Sequence, residues 1–260
     1  MFLRPALICS ISILAFAVPD SLPARANDNR PVFALFDFHP FGRRLPSGER
    51  QGIFAESIAY IEKESGVDME VRMLPISRTL KAMSEKSAQV TITASVSNLL
   101  DDTVSLGVIG CSRIIIQTSA ASGIRTLEDL SNKDIGFVSG GFLDRLYSKK
   151  FDLNPVRARS SQSLVAMLGR GRLDGVFASD VVIDNYIYAE SGMSFVGPNW
   201  QNKLGARVEV RKAPAHVRAV KNALNQSVLK RLRFAVQKGI KEGIFSAIYG
   251  KYGVQTRGKC

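Results

Sequence analysis

Ten residues, Lys133 to Phe142, constrain the fold more than any other stretch. Ile135 to Val138 reads as a short apolar strand, and Ser139-Gly140-Gly141 breaks it. A helix follows, with Leu143, Leu146 and Tyr147 on one face. Strand, glycine turn and helix start together also make an anion-binding arrangement. Unpaired N–H groups point out of the first turn, the helix dipole favours negative charge there, and glycine lets the backbone approach a ligand. The same form occurs in αβ turns that bind nothing.

The rest of the chain supplies more units of this kind. Val32 to Phe36 reads as a buried strand ending in the aromatic loop Asp37-Phe38-His39-Pro40-Phe41-Gly42. Ile53 to Ser65 carries Phe54, Ile58 and Ile61 at helical spacing and stops at Gly66. Glu56 and Glu62 read as solvated positions on it. Val67 to Leu74 alternates as a half-buried strand does. Pro75 opens a helix with Ile76, Leu80 and Met83 inward, and Gln89 to Thr93 is a strand. The order β, α, β, α, β predicts a parallel sheet with right-handed crossovers and a ligand at the carboxyl ends of its strands.

Leu106 to Gln117 is an extended apolar run, after which the αβ pattern repeats. A helix start is expected at Thr126 to Asp129, and an extended piece at Pro155 to Arg159. Ser161 is expected to cap a helix, Leu173 to Ala178 to form a strand, Val181 to Glu190 a helix, and Met193 to Val196 a strand. Arg207 to Arg211 is extended, and helices are expected from about Pro214 to Tyr252. Two αβ units in series suggest two lobes with a cleft between them.

Residues 1–26 have the form of a secretory leader: Arg4, an apolar run from Ala6 to Val18, and the small-x-small site Ala24-Arg25-Ala26. The run is short for a membrane core of about 30 Å, and no later stretch reads as a membrane helix, so an exported, periplasmic protein is expected. Its net charge of +12 suits either an anionic partner or a solvated basic surface. The basic residues are scattered and form no nucleic-acid-binding module. Of three cysteines, Cys111 and Cys260 lie beyond the leader, and an oxidising compartment permits a disulfide between them. His39 and His216 are far apart and no Cys/His spacing fits zinc. No metal or cofactor is expected.

Several segments resemble, in order, the periplasmic solute-binding proteins of ABC importers, in the branch that includes polar-amino-acid binders. Phe38-His39-Pro40-Phe41 is similar to that family's aromatic loop. Ser47-Gly48 and Gln51 to Phe54 are similar to the approach to its first helix, and Leu74 to Arg78 to its second helix start. Ile124 to Leu130 with Asp134 to Gly140, Gly171 to Gly175, and Gly243 to Tyr252 complete the match. The resemblance implies an α/β, two-lobe type II periplasmic-binding-protein fold, each lobe a mostly parallel sheet flanked by helices. Lobe one would be 27–110 plus 212–260 and lobe two 111–211, with hinge strands near 106–118 and 205–211. It also implies a monomeric, non-enzymatic receptor that closes on a small-molecule solute and delivers it to an inner-membrane ABC permease.

Departures from the family bear on the ligand. The amino-acid binders place a carboxylate-binding arginine after the strand that here is Val90 to Thr93, but no arginine lies between Thr91 and Ser112. Asn98, Asp101 and Asp102 occupy the region, and Gln89 replaces an aspartate. The ammonium-binding aspartate would fall at Ser179, with Asp180 one place late. A small polar solute with an anionic group is therefore expected in place of a standard α-amino acid. The candidate ligand residues are Phe38, Phe41, Arg78, Thr93, Ser95, Ser139, Gly140, Gly141, Phe142, Ser179 and Asp180. Phe38 and Phe41 serve equally well as loop anchors, Arg78 as a surface residue, and either Ser179 or Asp180 as the inward group. The alternatives are an enzyme on the same scaffold, dehydratase- or lyase-like, with Asp37, His39 or Glu49 near the cleft, and a ligand-sensing partner of a membrane receptor.

Overall fold

The computed structural model describes residues 30–94, 101–139, 142–188, 196–254 and 260; for Phe142 and Tyr188 it describes the backbone alone. The leader, Ser95, Asn98, Gly140, Gly141 and most of the strand expected at Met193 to Val196 lie outside the described residues.

β1 (Val32–Phe36) leads through a small hairpin, β2 (Arg43–Arg44) and β3 (Arg50–Gln51), into α1 (Ile53–Ser65), β4 (Glu70–Leu74), α2 (Ile76–Ser84) and β5 (Val90–Ala94). The long β6 (Thr103–Ser119) crosses to β7 (Asp134–Val138), α3 (Phe142–Tyr147), β8 (Asn154–Ala158), α4 (Ser161–Gly169), β9 (Gly175–Ser179) and α5 (Asp180–Tyr188). The long β10 (Leu204–Val220) returns to α6 (Gln226–Lys241) and α7 (Ile244–Lys251).

Eight strands form one sheet in the order β4-β1-β5-β10-β6-β9-β7-β8. Its two ends are parallel triplets of the same topology. In each, the first strand is central, the second lies at the outer edge and the third lies against the long pair. β6 and β10 run antiparallel between the triplets. The near-continuous apolar runs of β1, β7 and β9 follow from burial on both faces, and β5 is buried likewise with Thr91 and Thr93 inside it.

The apolar core divides accordingly. One group joins β1, α1, β5, the start of β6, the end of β10 and the two C-terminal helices. The other joins the middle of β6 with β7, α4, β9 and α5. Three places cross over: Val181 packs in the first group, while Phe38, Phe41 and Ala94 pack against the second. Cys111 of β6 and Cys260 are disulfide-bonded, their Cα atoms 5.5 Å apart. Glu56 is not a free solvated carboxylate: it accepts hydrogen bonds from Lys251 Nζ at 2.8 Å and the Tyr252 hydroxyl at 2.5 Å, tying α1 to the end of α7. Glu62 is half-buried, 4.0 Å from Arg50.

Other expectations change for identifiable reasons. The helix start at Thr126 becomes one 3₁₀ turn, Glu128–Leu130, because the Asp129 carboxylate accepts the N–H groups of Arg125 and Thr126 and closes the turn locally. Ser160, not Ser161, caps α4, its Oγ accepting from Ser163 N at 3.2 Å. Leu146 is exposed while Tyr147 is buried. The second crossing does not give way to helices at Pro214: β10 runs on to Val220. Pro214 stands opposite Cys111 of β6, and among the described residues β5 gives it no partner, the last pair being Ala215 with Ala94.

Candidate functional site

The last residues of β1, β5, β7 and β9, namely Phe36, Ala94, Val138 and Ser179, all line one cavity between the two halves of the sheet. It holds about 130 Å³ of accessible space within a wider cleft of about 920 Å³. Parallel strands leave their carboxyl ends free of crossover packing, which is why a ligand space forms there.

Its first wall is aromatic. The Phe38 and Phe41 rings stack at 6.3 Å and 12°, and Phe41 meets Phe54 at 4.6 Å. The loop between them is pinned by the Phe38 N–H on Gly42 O at 2.9 Å and the Gly42 N–H on Phe38 O at 3.0 Å. A Cβ on Gly42 would lie 2.3 Å from Phe36 O, so only glycine allows this turn. The opposite wall has Phe137 and Phe177, stacked at 5.3 Å and 21°. Tyr249 of α7 forms part of the floor. Gly110 of β6 makes room for it, since a Cβ there would lie 2.2 Å from the ring. Burial pushes the Tyr249 phenol well up, and the charge of Asp180 adds to the shift.

Polar groups in the lining are hydroxyls: Thr93, Ser112, Ser161, Ser179 and Tyr249. Ser112 donates to Ala213 O at 3.2 Å. Ser161, 2% exposed, has a buried Oγ with no hydrogen-bond partner. Among the described residues no charged side chain lines the cavity, and no group of His, Cys, Asp and Glu could hold a metal.

The candidates therefore separate. Phe38, Phe41, Thr93 and Ser179 come together in the cavity. Arg78 does not: it is exposed on α2, two residues and about half a turn from the lining residue Ile76. Asp180 does not line the cavity either. Its carboxylate accepts the Arg113 backbone N–H and Nε, each at 2.9 Å, and the Val181 N–H at 2.9 Å. Of the adjacent pair, Ser179 is the one at the cavity. Ser139 is exposed and its N–H donates to Ala158 O at 2.8 Å, so that donor is already used by the sheet. Phe142 begins α3; Ser95, Gly140 and Gly141 fall outside the described residues. Asp37 and Glu49 are exposed and away from the lining, and His39 hydrogen-bonds Asn185 beside Tyr186.

Sequence reasoning missed Phe137, Phe177, Ser161 and Tyr249. Phe177 was within reach: it lies two residues before Ser179 on one strand, hence on the same face. Tyr249 was not, because its approach depends on the bare backbone at Gly110, far away in sequence.

No family model matches the chain, and no curated protein sequence matches it. Solved structures do. The substrate-binding protein of an amino acid ABC transporter superposes with a TM-score of 0.66 at 16% identity, covering 86% of this chain and 98% of its own. An ABC uptake transporter substrate-binding protein from Streptococcus pneumoniae with bound histidine gives 0.68 at 16%, covering 89% and 96%. The periplasmic domain of B. pertussis BvgS gives 0.64 at 14%, covering 88% of this chain and 44% of that one. The chain has the type II periplasmic-binding-protein fold. No described helix is long and apolar enough to cross a membrane.

Proposed function

We propose that this chain is an extracytoplasmic, periplasmic solute-binding protein that captures a small molecule between two lobes and hands it to an ABC importer. The observation that carries this reading is the cavity itself. Both halves of the sheet line it, and the two halves are joined through the antiparallel pair β6 and β10. The similarity to transporter substrate-binding proteins supports the same role. In this reading lobe one is 27–110 with 212–260 and lobe two is 111–211, hinged near 106–118 and 205–211. The chain acts in this reading as a monomer and as a receptor without catalysis, as the likeness to substrate-binding proteins supports.

The anionic solute expected from the sequence has little support in the cavity. Arg78 lies outside the lining, and the Ser139 N–H is engaged by Ala158. A second reading, a sensing partner of a membrane receptor, draws on the likeness to the BvgS periplasmic domain. Native mass spectrometry of the protein from its own periplasm, with small-angle scattering before and after ligand removal, tests the first reading. A bound small molecule and a more open shape on its removal are expected. A shape unchanged by ligand would overturn the closing mechanism. Loss of solute uptake in a deletion strain separates transport from sensing.

A further inference from the structure

We propose that the cavity takes a neutral ligand built on a single aromatic ring and carrying one carbonyl oxygen, which meets Ser161 at the start of α4. This deepens the solute-binding reading and rests on it.

Size and walls define the body of the ligand. The accessible space of about 130 Å³ is close to the roughly 150 Å³ in which an apolar protein cavity takes up benzene. Phe41 with Phe54 on one side and Phe137 with Phe177 on the other offer ring faces and edges to a flat apolar group.

One unpartnered group defines its polar end. Ser161 lines the cavity, and its Oγ is buried without a hydrogen-bond partner. Ser161 is also the first residue of a nine-residue helix, whose first N–H groups have no carbonyl partner within it. The cap Ser160 takes Ser163 N, which leaves the hydroxyl and the first two N–H groups to face an acceptor.

Charge decides between a carbonyl and a carboxylate. A helix start offers only about half an elementary charge, which offsets a carbonyl dipole more fully than the whole charge of a buried carboxylate without a paired cation. No described lining residue supplies one. A zwitterionic amino acid would need an anion as well, and Asp180 is held by Arg113 outside the lining.

Calorimetry on the exported chain with acetophenone, benzamide, toluene, benzoate and L-phenylalanine tests this, with mass analysis of each probe afterwards. Acetophenone and benzamide are expected to bind best. Ser161→Ala is expected to weaken both about fivefold while leaving toluene unchanged. The ligand-free Tm should hold or rise, because the variant removes an unpartnered buried hydroxyl. Ser161→Cys, a weaker donor of similar size, should fall between. Preference for benzoate or phenylalanine, carbonyl affinity unmoved in both variants, or no binding of any aromatic probe would overturn the inference and leave the receptor reading standing. Conversion of a bound carbonyl probe to product would do the reverse.

Discussion

The cavity and the strand pair beside it are made of opposite materials. The described residues wall the cavity with rings and aliphatic groups, and their polar side chains are hydroxyls. A few residues away, the crossing strands are laced with charge. Arg113 pairs with Asp180 at 2.9 Å and lies 3.8 Å from Glu209, and Arg207 meets Asp184 at 2.6 Å. Gln117 accepts from Arg207 Nε at 2.8 Å and donates to Gly205 O at 3.1 Å. Here charge ties the crossing strands to α5. Among the described residues, the cavity presents apolar shape and uncharged hydrogen-bonding groups.

The sharpest way to break the apolar side is Phe177→Ala. Phe177 is 2% exposed and stacks on Phe137 at 5.3 Å and on Tyr147 at 4.9 Å. Its removal is expected to cost about 3–5 kcal/mol, read from urea unfolding, and to enlarge the cavity. Covalent anchoring of the joint comes next. The Cys111–Cys260 bond closes a sequence separation of 149 residues, and Cys111→Ser is expected to cost about 2–4 kcal/mol. Thiol counting in denaturant without reductant should find no free thiol in the exported chain once residues 1–26, with Cys9, are removed. Two would remove the bond from the account.

Asp180→Ala tests the division between joint and cavity directly. The Asp180 side chain is 14% exposed, and its loss leaves the Arg113 backbone N–H and guanidinium without this acceptor. We expect about 2–3 kcal/mol of destabilisation, with the affinity for an uncharged aromatic probe changed less than the stability. If affinity collapses while stability holds, Asp180 is a ligand residue and the two regions are not separate.

The same contrast explains what the sequence disclosed. The repeated αβ order was legible because each element writes its period into its own residues, as Phe54, Ile58 and Ile61 do along α1. The carboxyl-end location was legible too, since Phe38, Phe41, Thr93 and Ser179 follow from strand ends. What was not legible was which charged residues are already partnered. Asp180 reads the same in sequence whether or not Arg113, 67 residues away, reaches its carboxylate, and only the structure shows that it does. Ser161 escaped for a related reason. A serine before a helix reads as a cap, and only the structure shows Ser160 in that role with its neighbour buried at the cavity.

The smallest expected effect lies where the two materials meet. His39, on the aromatic loop of one half, hydrogen-bonds Asn185 and sets its ring 6.3 Å from Tyr186, both on α5 of the other half. Burial lowers the pKa of His39 below its ordinary 6.5; the Asn185 hydrogen bond opposes this and the charge of Arg43 adds to it. A depressed pKa means the folded protein binds fewer protons than the unfolded chain, so stability rises with pH. The contribution is present above pH 6.5 and is lost as pH falls through the folded pKa. His216 is also lowered, by burial and then by Arg218, and acts in the same direction. Unfolding midpoints measured from pH 7.5 down to about 5 should therefore fall in the parent chain. His39→Gln should remove part of the fall and His216→Gln another part. If the slope is the same in parent and His39→Gln, the contact between the loop and α5 is indifferent to protonation, and the halves are held together by rings alone at that point.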